Sequence, residues 1–265
     1  MRRRSKVSEH LFPHFQALKV SRLHDGEIVL AQLHRPEVRN AIDHTMVTEL
    51  HELCADLEET PRILIIAGCT TDNGRSIFAS GADIAQLKER THQDALRGIN
   101  NMIFQRIAEL PLPVIAAVDG FALGGGLELA LSADFRVATA EAKFGQPETG
   151  LGIMAAAGGT WRLRAAVGQT LAREILLAGR VLNGEEALEH HLVSSLHEPT
   201  QLLDAAVELA QNIAKQDSLA IQITKSVLAM PESAHPHVDN IAQAILFESP
   251  AKHQRMQAFL DRRKK

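Results

Sequence analysis

Residues 114–138 read VIAAVDGFALGGGLELALSADFRVA. The uninterrupted apolar run Val114–Val118 has the length and composition of a strand that is buried on both faces. The glycine-rich segment Gly120–Gly126 predicts a tight turn into a short helix, Leu127–Ser132, and Phe135–Ala138 predicts another strand. A strand, a turn, a helix and a strand in this order indicate an α/β core.

The same pattern of strands and helices precedes this stretch. Segments 18–23 and 28–33 predict a hairpin around Asp25-Gly26, and Asp43 is a good N-cap for a helix that Pro61 stops. The apolar run 63–68 predicts a second buried strand. Thr91 is expected to cap one continuous helix that ends at Pro111, with its apolar face formed by Leu96, Ile99, Ile103, Ile107 and Leu110.

After Pro199 the pattern changes to helices without strands. We predict helices that begin at Thr200, Ser218, near Val238 and at Ser249-Pro250. The chain therefore divides into a flexible N-terminal arm at 1–16, a core that holds the active site at 17–199, and a C-terminal helical region at 200–265.

Composition limits the classes of function. The 265 residues are 45% apolar and 23% charged, with a formal charge of −4, which gives no reason to expect nucleic acid as a partner. No apolar run approaches the roughly 18 residues that a membrane span needs. Cys54 and Cys69 fall in apolar patterns typical of buried thiols, and the basic start lacks the hydrophobic segment of an export signal. We expect a cytoplasmic protein.

Histidines offer one alternative kind of site. His235 with His237, or the pair His190-His191, could be metal ligands. No matching cluster of Cys, Asp or Glu accompanies either pair, so we predict no metal site.

Two glutamates, Glu128 and Glu148, stand out chemically. Glu128 follows three glycines, and Glu148 closes the segment Phe144–Glu148; both lie in a region that is otherwise almost uncharged. Carboxyl groups in apolar surroundings have perturbed pKa values, and two of them can divide the roles of acid and base. This arrangement suits proton transfer next to a carbonyl group.

The glycine-rich turn also permits a dinucleotide-binding interpretation. Gly124 and Gly126 fit part of the required glycine pattern, but Leu129 occupies the position of its third glycine. The carboxylate of Glu128 would lie in the first helical turn, where a pyrophosphate docks, and the like charges would repel. The sequence disfavours this interpretation.

Binding of an oxyanion is a better use of the turn. Backbone N–H groups at the start of a helix are unpaired, and glycine lets a substrate carbonyl approach the amide of Gly125 closely. A second donor is expected in the small-residue turn of Phe78–Ile84, which reads FASGADI. The alternative is that both segments are only tight packing turns.

Four motifs together resemble the enoyl-CoA hydratase/isomerase (crotonase) family. They are Phe78–Ile84, Gly124–Ala130, Phe144–Glu148 and Gly158–Leu163, in this order, and the loop Arg35–Ala41 is similar to the family's early CoA-binding loop. The resemblance implies a spiral of repeated ββα units, followed by a C-terminal helical region used in trimerisation. It also implies a homotrimer, or a hexamer made of two trimers.

The resemblance further implies a CoA thioester site. The amides of Ala82 and Gly125 would hold the thioester oxygen. Residues Ala82, Asp83, Ile84 and Ala85 would line the CoA tail, and Val38, Arg39, Asn40 and Ala41 would lie near its adenine end. Phe259 and the basic C-terminus would contribute to a CoA site. No separate cofactor is expected, because coenzyme A is part of the substrate.

By the same resemblance, Glu128 would be the base that activates a water and Glu148 the acid that protonates C2 of a trans-2-enoyl-CoA, as in β-oxidation. Alternatives are a Δ3,Δ2-enoyl-CoA isomerase, another acyl-CoA reaction, or a non-catalytic protein that binds RNA or acyl-CoA. Ala155-Ala156 stands where many hydratases have Pro-Gly. This departure bears on the choice of acyl group more than on the chemistry.

Overall fold

The computed structural model describes residues 8–71 and 73–263. Residues 1–7 of the predicted arm and the terminal Lys264-Lys265 lie outside the described residues. Within them the strands are β1 (Ser8–His10), β2 (Leu18–Leu23), β3 (Ile28–Leu33), β4 (Ile63–Ala67), β5 (Cys69–Thr70), β6 (Ser76–Ala79), β7 (Val114–Val118), β8 (Phe121–Leu123), β9 (Phe135–Ala138), β10 (Lys143–Gly145), β11 (Leu182–Asn183) and β12 (Ser195–Leu196).

The helices of the described residues alternate with these strands and then continue alone. They are α1 (His44–Glu59), α2 (Ile84–Glu89), α3 (His92–Arg97), α4 (Ile99–Ala108), α5 (Gly125–Ser132), α6 (Arg164–Ala178), α7 (Gly184–Glu189), α8 (Leu202–Ala214), α9 (Ser218–Leu228), α10 (His237–Phe247) and α11 (Pro250–Arg263). None of these helices combines the length and the apolarity needed to cross a membrane.

The described strands form two sheets, with orders β1-β2-β3-β4-β7-β9-β12 and β11-β10-β8-β6-β5. The chain visits both in turn: β4 joins the first sheet and β5 and β6 join the second, before α2 to α4 lead back to β7. The next turns repeat this path, with β7, β8 and α5, and then with β9 and β10. This repetition is the predicted spiral of ββα units.

Parallel pairing connects the successive turns of the spiral. In the first sheet β3, β4, β7 and β9 pair in parallel, with Ile65 opposite Ile115, and in the second sheet β6, β8 and β10 do the same. The strands β4 and β7 are buried almost completely, as their continuous apolar sequences predict. The predicted hairpin of β2 and β3 is confirmed, with Leu18 opposite Leu33 and a 3-10 turn at His24–Gly26.

The prediction of one continuous helix from Thr91 to Leu110 is wrong. Gly98 adopts a left-handed conformation with a φ of 63°, which ends α3 and starts α4 in a new direction. Leu96 is consequently 85% exposed, whereas Ile103 and Ile107 remain in the core. The capping interaction is present, because the Asp94 carboxylate accepts hydrogen bonds from the Thr91 amide and hydroxyl.

The chain forms two compact units, one that ends at Gln211 and one that begins at Asn212. The first contains both sheets, and the boundary falls within α8. The second contains α9, α10 and α11, with α9 packed against α10. The predicted limits at residues 16 and 199 stay predictions.

Candidate active site

The start of α5 approaches β6 closely because Gly126 has no side chain. A Cβ atom added at Gly126 would overlap the backbone carbonyl of Ala79. Gly124 precedes the helix with a φ of 51°, and a Cβ there would lie 3.0 Å from Oε1 of Glu148. The two glycines therefore allow the turn to lie close to Ala79 on one side and to Glu148 on the other, where a side chain would not fit.

The two predicted oxyanion turns lie side by side. A Cβ built on Gly125 would be 3.4 Å from the amide nitrogen of Ala82. Ile42 donates to the Gly81 carbonyl (2.8 Å) and accepts from the Asp83 amide (3.0 Å). Because peptide groups alternate in direction along an extended segment, the Ala82 amide points to the opposite side. Ala82 and Gly125 both line one cavity.

Glu128 is buried, with 4% of its surface exposed, and its carboxylate is tied to a facing loop. Its Oε1 accepts hydrogen bonds from the amides of Ala157 (2.7 Å) and Gly159 (2.9 Å). Burial raises the pKa of Glu128, while these two hydrogen bonds and the charge of Arg162 act in the opposite direction. The two amides also fix the direction of the carboxylate.

Arg162 lies on the other side of the same loop. A Cβ on Gly158 would collide with Nη1 of Arg162, and a Cβ on the next residue, Gly159, would lie 3.2 Å from Oε1 of Glu128. The guanidinium donates from Nη2 to Oε1 of Gln105 at 2.6 Å, so a neutral partner holds it in place. Arg162 therefore supplies positive charge near Glu128, behind the loop.

Glu148 is 9% exposed and begins a short 3-10 turn, Glu148–Leu151. Burial raises its pKa to about 7; a hydrogen bond with the backbone of Glu148 itself opposes this rise, and the charge of Glu128 adds to it. With its amide nitrogen turned toward the carboxyl group, Gln146 donates to Oε1 (2.9 Å) and Oε2 (3.0 Å) of Glu148. This rise in pKa makes the protonated form of Glu148 accessible near neutral pH.

A cavity of about 140 Å³ joins these groups. Its lining includes Ala82, Gly125, Glu128 and Glu148, which are the four residues predicted to be catalytic. Apolar side chains form much of the remaining wall, and Arg90 and Asn100 also border it. These apolar residues are Ile84, Leu87, Leu151, Ile153 and Met154. The site offers two amide donors, two carboxyl groups and an apolar wall, which suits proton transfer beside a carbonyl group.

The residues predicted to bind CoA are only partly in this cavity. Ile84 lines it, whereas Asp83 caps α2 by accepting from the Gln86 amide at 3.1 Å, and Ala85 borders a separate surface depression. Val38, Arg39 and Ala41 do not line the cavity. Their roles stay predictions.

The early loop is nevertheless attached to the oxyanion turn. The carbonyl of Arg39 accepts from the Ser80 amide (3.1 Å), and the side chain of Asn40 donates to the carbonyls of Ile77 and Phe78. Phe259 is exposed in the second unit, and Arg263 lies over its ring.

The sequence motifs do not reveal the backbone donors or the cation near Glu128. Ala157 and Gly159 act through their amides, which every residue type except proline has, and Arg162 acts from behind the loop. The motif that holds Arg162, Gly158–Leu163, is visible in the sequence, but the effect of the Arg162 charge on Glu128 is not. The described residues contain no group of three or more His, Cys, Asp or Glu that could hold a metal ion.

Comparisons with known proteins identify related sequences. Residues 24–265 match the family described as Enoyl-CoA hydratase/isomerase. The short-chain-enoyl-CoA hydratase of Clostridium acetobutylicum is 34% identical, with 91% of this chain and 94% of the relative covered. The 2,3-dehydroadipyl-CoA hydratase of Escherichia coli is also 34% identical, with 89% and 93% covered.

A solved structure shows the same fold. The enoyl-CoA hydratase from Bacillus anthracis superposes with a TM-score of 0.85 at 28% identity, with 93% of this chain and 97% of that chain covered. This similarity confirms the predicted crotonase-like fold.

Proposed function

This chain belongs to the enoyl-CoA hydratase/isomerase family, an enzymatic family, and we propose that it hydrates trans-2-enoyl-CoA thioesters. One observation carries the proposal: two buried carboxyl groups, Glu128 and Glu148, border the cavity that the amides of Ala82 and Gly125 also reach. Proton abstraction alone would need one carboxylate, whereas addition of water across a double bond uses a base and an acid.

The thioester oxygen accepts hydrogen bonds from the amides of Ala82 and Gly125, which stabilise the enolate that forms during the reaction. Loss of a comparable donor raises a barrier by roughly 3 kcal/mol. The apolar wall of the cavity keeps these bonds in a medium of low dielectric constant, where they are strongest.

The surroundings of the two carboxyl groups divide their roles. Burial raises the pKa of Glu128, and the hydrogen bonds from two amides and the charge of Arg162 oppose this rise by favouring the ionised form. Glu128 takes a proton from water as the water oxygen bonds to C3. Glu148, with a pKa of about 7, gives its proton to C2. A proton then returns from Glu128 to Glu148 through solvent, which completes the cycle.

A panel of CoA thioesters tests the proposal. Purified protein is mixed with crotonyl-CoA and with longer trans-2-enoyl-CoAs, and the loss of conjugated-thioester absorbance is followed. We expect hydration of at least one chain length. If folded protein hydrates none of them, the proposal is wrong.

Δ3,Δ2-enoyl-CoA isomerisation is the second candidate, and the pKa of Glu148 favours considering it. A carboxyl group with a pKa of about 7 can both accept and donate a proton near neutral pH, which moving a double bond requires. Replacement of Glu128 and Glu148 by Gln, one at a time, separates the two reactions. Each of the two changes would lower the rate of hydration, whereas only one of them would strongly lower the rate of isomerisation.

We also propose that the protein forms a trimer or a hexamer. Exposed apolar side chains support this proposal, because α9 and α10 of the second unit carry Leu228, Ile241 and Ile245 on exposed surface. Light scattering coupled to size-exclusion chromatography measures the mass of the assembly.

A cofactor-free reaction, a cytoplasmic location and a role in β-oxidation stay predictions. One relative is named for short-chain enoyl-CoA and another for 2,3-dehydroadipyl-CoA. Their names therefore leave the acyl group of this protein open.

A further inference from the structure

The wall of the candidate cavity changes from apolar to cationic along α2. Ile84, Leu87 and Arg90 follow one another at intervals of three residues, and all three border the cavity. Ile84 lies just after the oxyanion turn, and Arg90 is the residue at which the helix ends. The rise from Ile84 to Arg90 is about 9 Å. A group bound at the amide of Ala82 therefore meets apolar side chains first and the guanidinium last.

A buried asparagine accompanies this cation. Asn100 is 8% exposed and shares the buried face of α4 with Ile103, Phe104 and Ile107, where it is the one polar residue. Its Oδ1 accepts from Nη2 of Arg90 at 3.2 Å. In residues 8–71 and 73–263, its Nδ2 donates to no other residue. Because Asn100 also lines the cavity, its amide can donate to a ligand there that accepts a hydrogen bond.

No carboxylate of the described chain neutralises Arg90 by a direct ion pair. Asp94 is a nearby acidic residue, but its carboxylate accepts from the amide (2.9 Å) and the hydroxyl (2.8 Å) of Thr91 and pairs with Arg97 at 3.5 Å. The guanidinium of Arg90 is thus held by Asn100 and keeps further donors for another partner.

We infer, on the basis of the proposed function, that Arg90 and Asn100 bind a carboxylate at the far end of the acyl chain. The substrate class is then a trans-2-enoyl-CoA that ends in a carboxylate. The planar guanidinium matches a carboxylate with two parallel hydrogen bonds, and the Asn100 amide adds a third donor. A terminal methyl group would leave these donors unpaired, at a cost in affinity.

A six-carbon chain is a suitable length for the test, because it advances roughly 6 Å from C1 to C6, given carbon–carbon bonds of about 1.5 Å. Ile84 and Leu87 then contact the methylene groups between the double bond and the carboxylate.

Two substrates with the same number of carbons test this inference. We would measure kcat/KM for trans-2-hexenedioyl-CoA and trans-2-hexenoyl-CoA with the wild type, Arg90→Met, Asn100→Leu and Lys88→Met. Lys88 is exposed in the last turn of α2 and does not line the cavity, so its variant is the control for charge. The measured quantity is the ratio of the two kcat/KM values.

We expect the wild type to prefer the dicarboxylic substrate and Arg90→Met to lower the ratio by roughly 10- to 100-fold, as for loss of a charge-assisted hydrogen bond. Asn100→Leu should lower it less, and Lys88→Met should leave it unchanged. A wild-type preference for hexenoyl-CoA, or a ratio that Arg90→Met does not change, would overturn the inference.

Binding of saturated analogues separates this inference from the proposed function. Adipoyl-CoA and hexanoyl-CoA lack the double bond, so calorimetry reports their binding without any hydration. Tighter binding of adipoyl-CoA that is lost in Arg90→Met supports the carboxylate subsite even if no enoyl-CoA is hydrated. Equal binding of both analogues overturns it even if the protein is an active hydratase.

Discussion

Replacement of Glu148 by Gln is expected to stabilise the folded protein at alkaline pH. Burial raises the pKa of this carboxyl group from 4.5 to about 7, so the folded state binds its proton more tightly than the unfolded state does. The ionised group is therefore a cost to folding above neutral pH, which a neutral Gln of similar size does not carry. Active sites commonly store such a cost for the sake of function.

The sign and size follow from linkage between proton binding and folding. Below pH 4.5 both states are protonated and the wild type bears no such cost. The cost grows as the pH rises from 4.5 to 7 and is constant above that range. The full rise of the pKa corresponds to at most about 3 kcal/mol. Because solvent reaches the carboxyl group from the cavity and screens its charge, we expect roughly 1–2 kcal/mol.

Urea unfolding at pH 5 and pH 8.5, at one protein concentration, measures this difference. Glu141→Gln, at an exposed position, controls for the loss of one negative charge. Glu148→Gln should gain stability relative to the wild type mainly at pH 8.5. An equal difference at both pH values, or a less stable variant at pH 8.5, would refute the reasoning.

Three further changes are expected to have distinct effects. Arg162→Met removes a cation that lowers the pKa of Glu128, so the acidic limb of the hydration profile should move to higher pH, with kcat/KM at pH 6 down roughly tenfold. Gly126→Ala places a methyl group against the Ala79 carbonyl and should cost about 3 kcal/mol of stability in urea unfolding. Glu49→Ala should cost roughly 3 kcal/mol in the same assay, because this buried carboxylate accepts from the backbone amides at residues 16–18.

Each of these changes has a matched control. Arg164→Met removes an exposed cation two residues away, Gly150→Ala adds a methyl group where no atom lies within 4 Å, and Glu52→Ala removes an exposed carboxylate from the same helix as Glu49. If the acidic limb of the hydration profile does not move to higher pH in Arg162→Met, the result contradicts the role given to that cation. Stabilities of Gly126→Ala or Glu49→Ala equal to those of their controls contradict the packing and the hydrogen-bond arguments.

The sequence predicts the elements whose burial is uniform. The runs at Ile63–Ala67 and Val114–Val118 are apolar throughout because parallel pairing and packing cover both faces of each strand. The strands of the second sheet were not predicted. Several of them span only two or three residues, too few to show the alternation of apolar and polar residues typical of a strand. Their conformation comes from pairing between distant segments, such as Phe144 with Ala122.

The sequence likewise predicts some residues of the site and not others. Glu128 and Glu148 were predictable because glycines and apolar residues surround both carboxyl groups, and the turn at Gly124 needs a positive φ. The donors at Ala157 and Gly159 were not, since a backbone amide leaves no mark on residue type. Arg90 lies in a polar stretch of sequence that does not predict a site. Its position at the end of α2 places it at the cavity.

Hydration of the enoyl-CoA on which the wild type is most active, measured separately for Glu128→Gln and Glu148→Gln against the wild type, tests the division of labour most directly. Gln keeps the size of each side chain but can neither accept a proton from water nor give one to C2. The predicted result is a loss of kcat of at least about 100-fold in each variant. Activity within about tenfold of the wild type in either variant would contradict the account, because that carboxyl group would then transfer no proton in hydration.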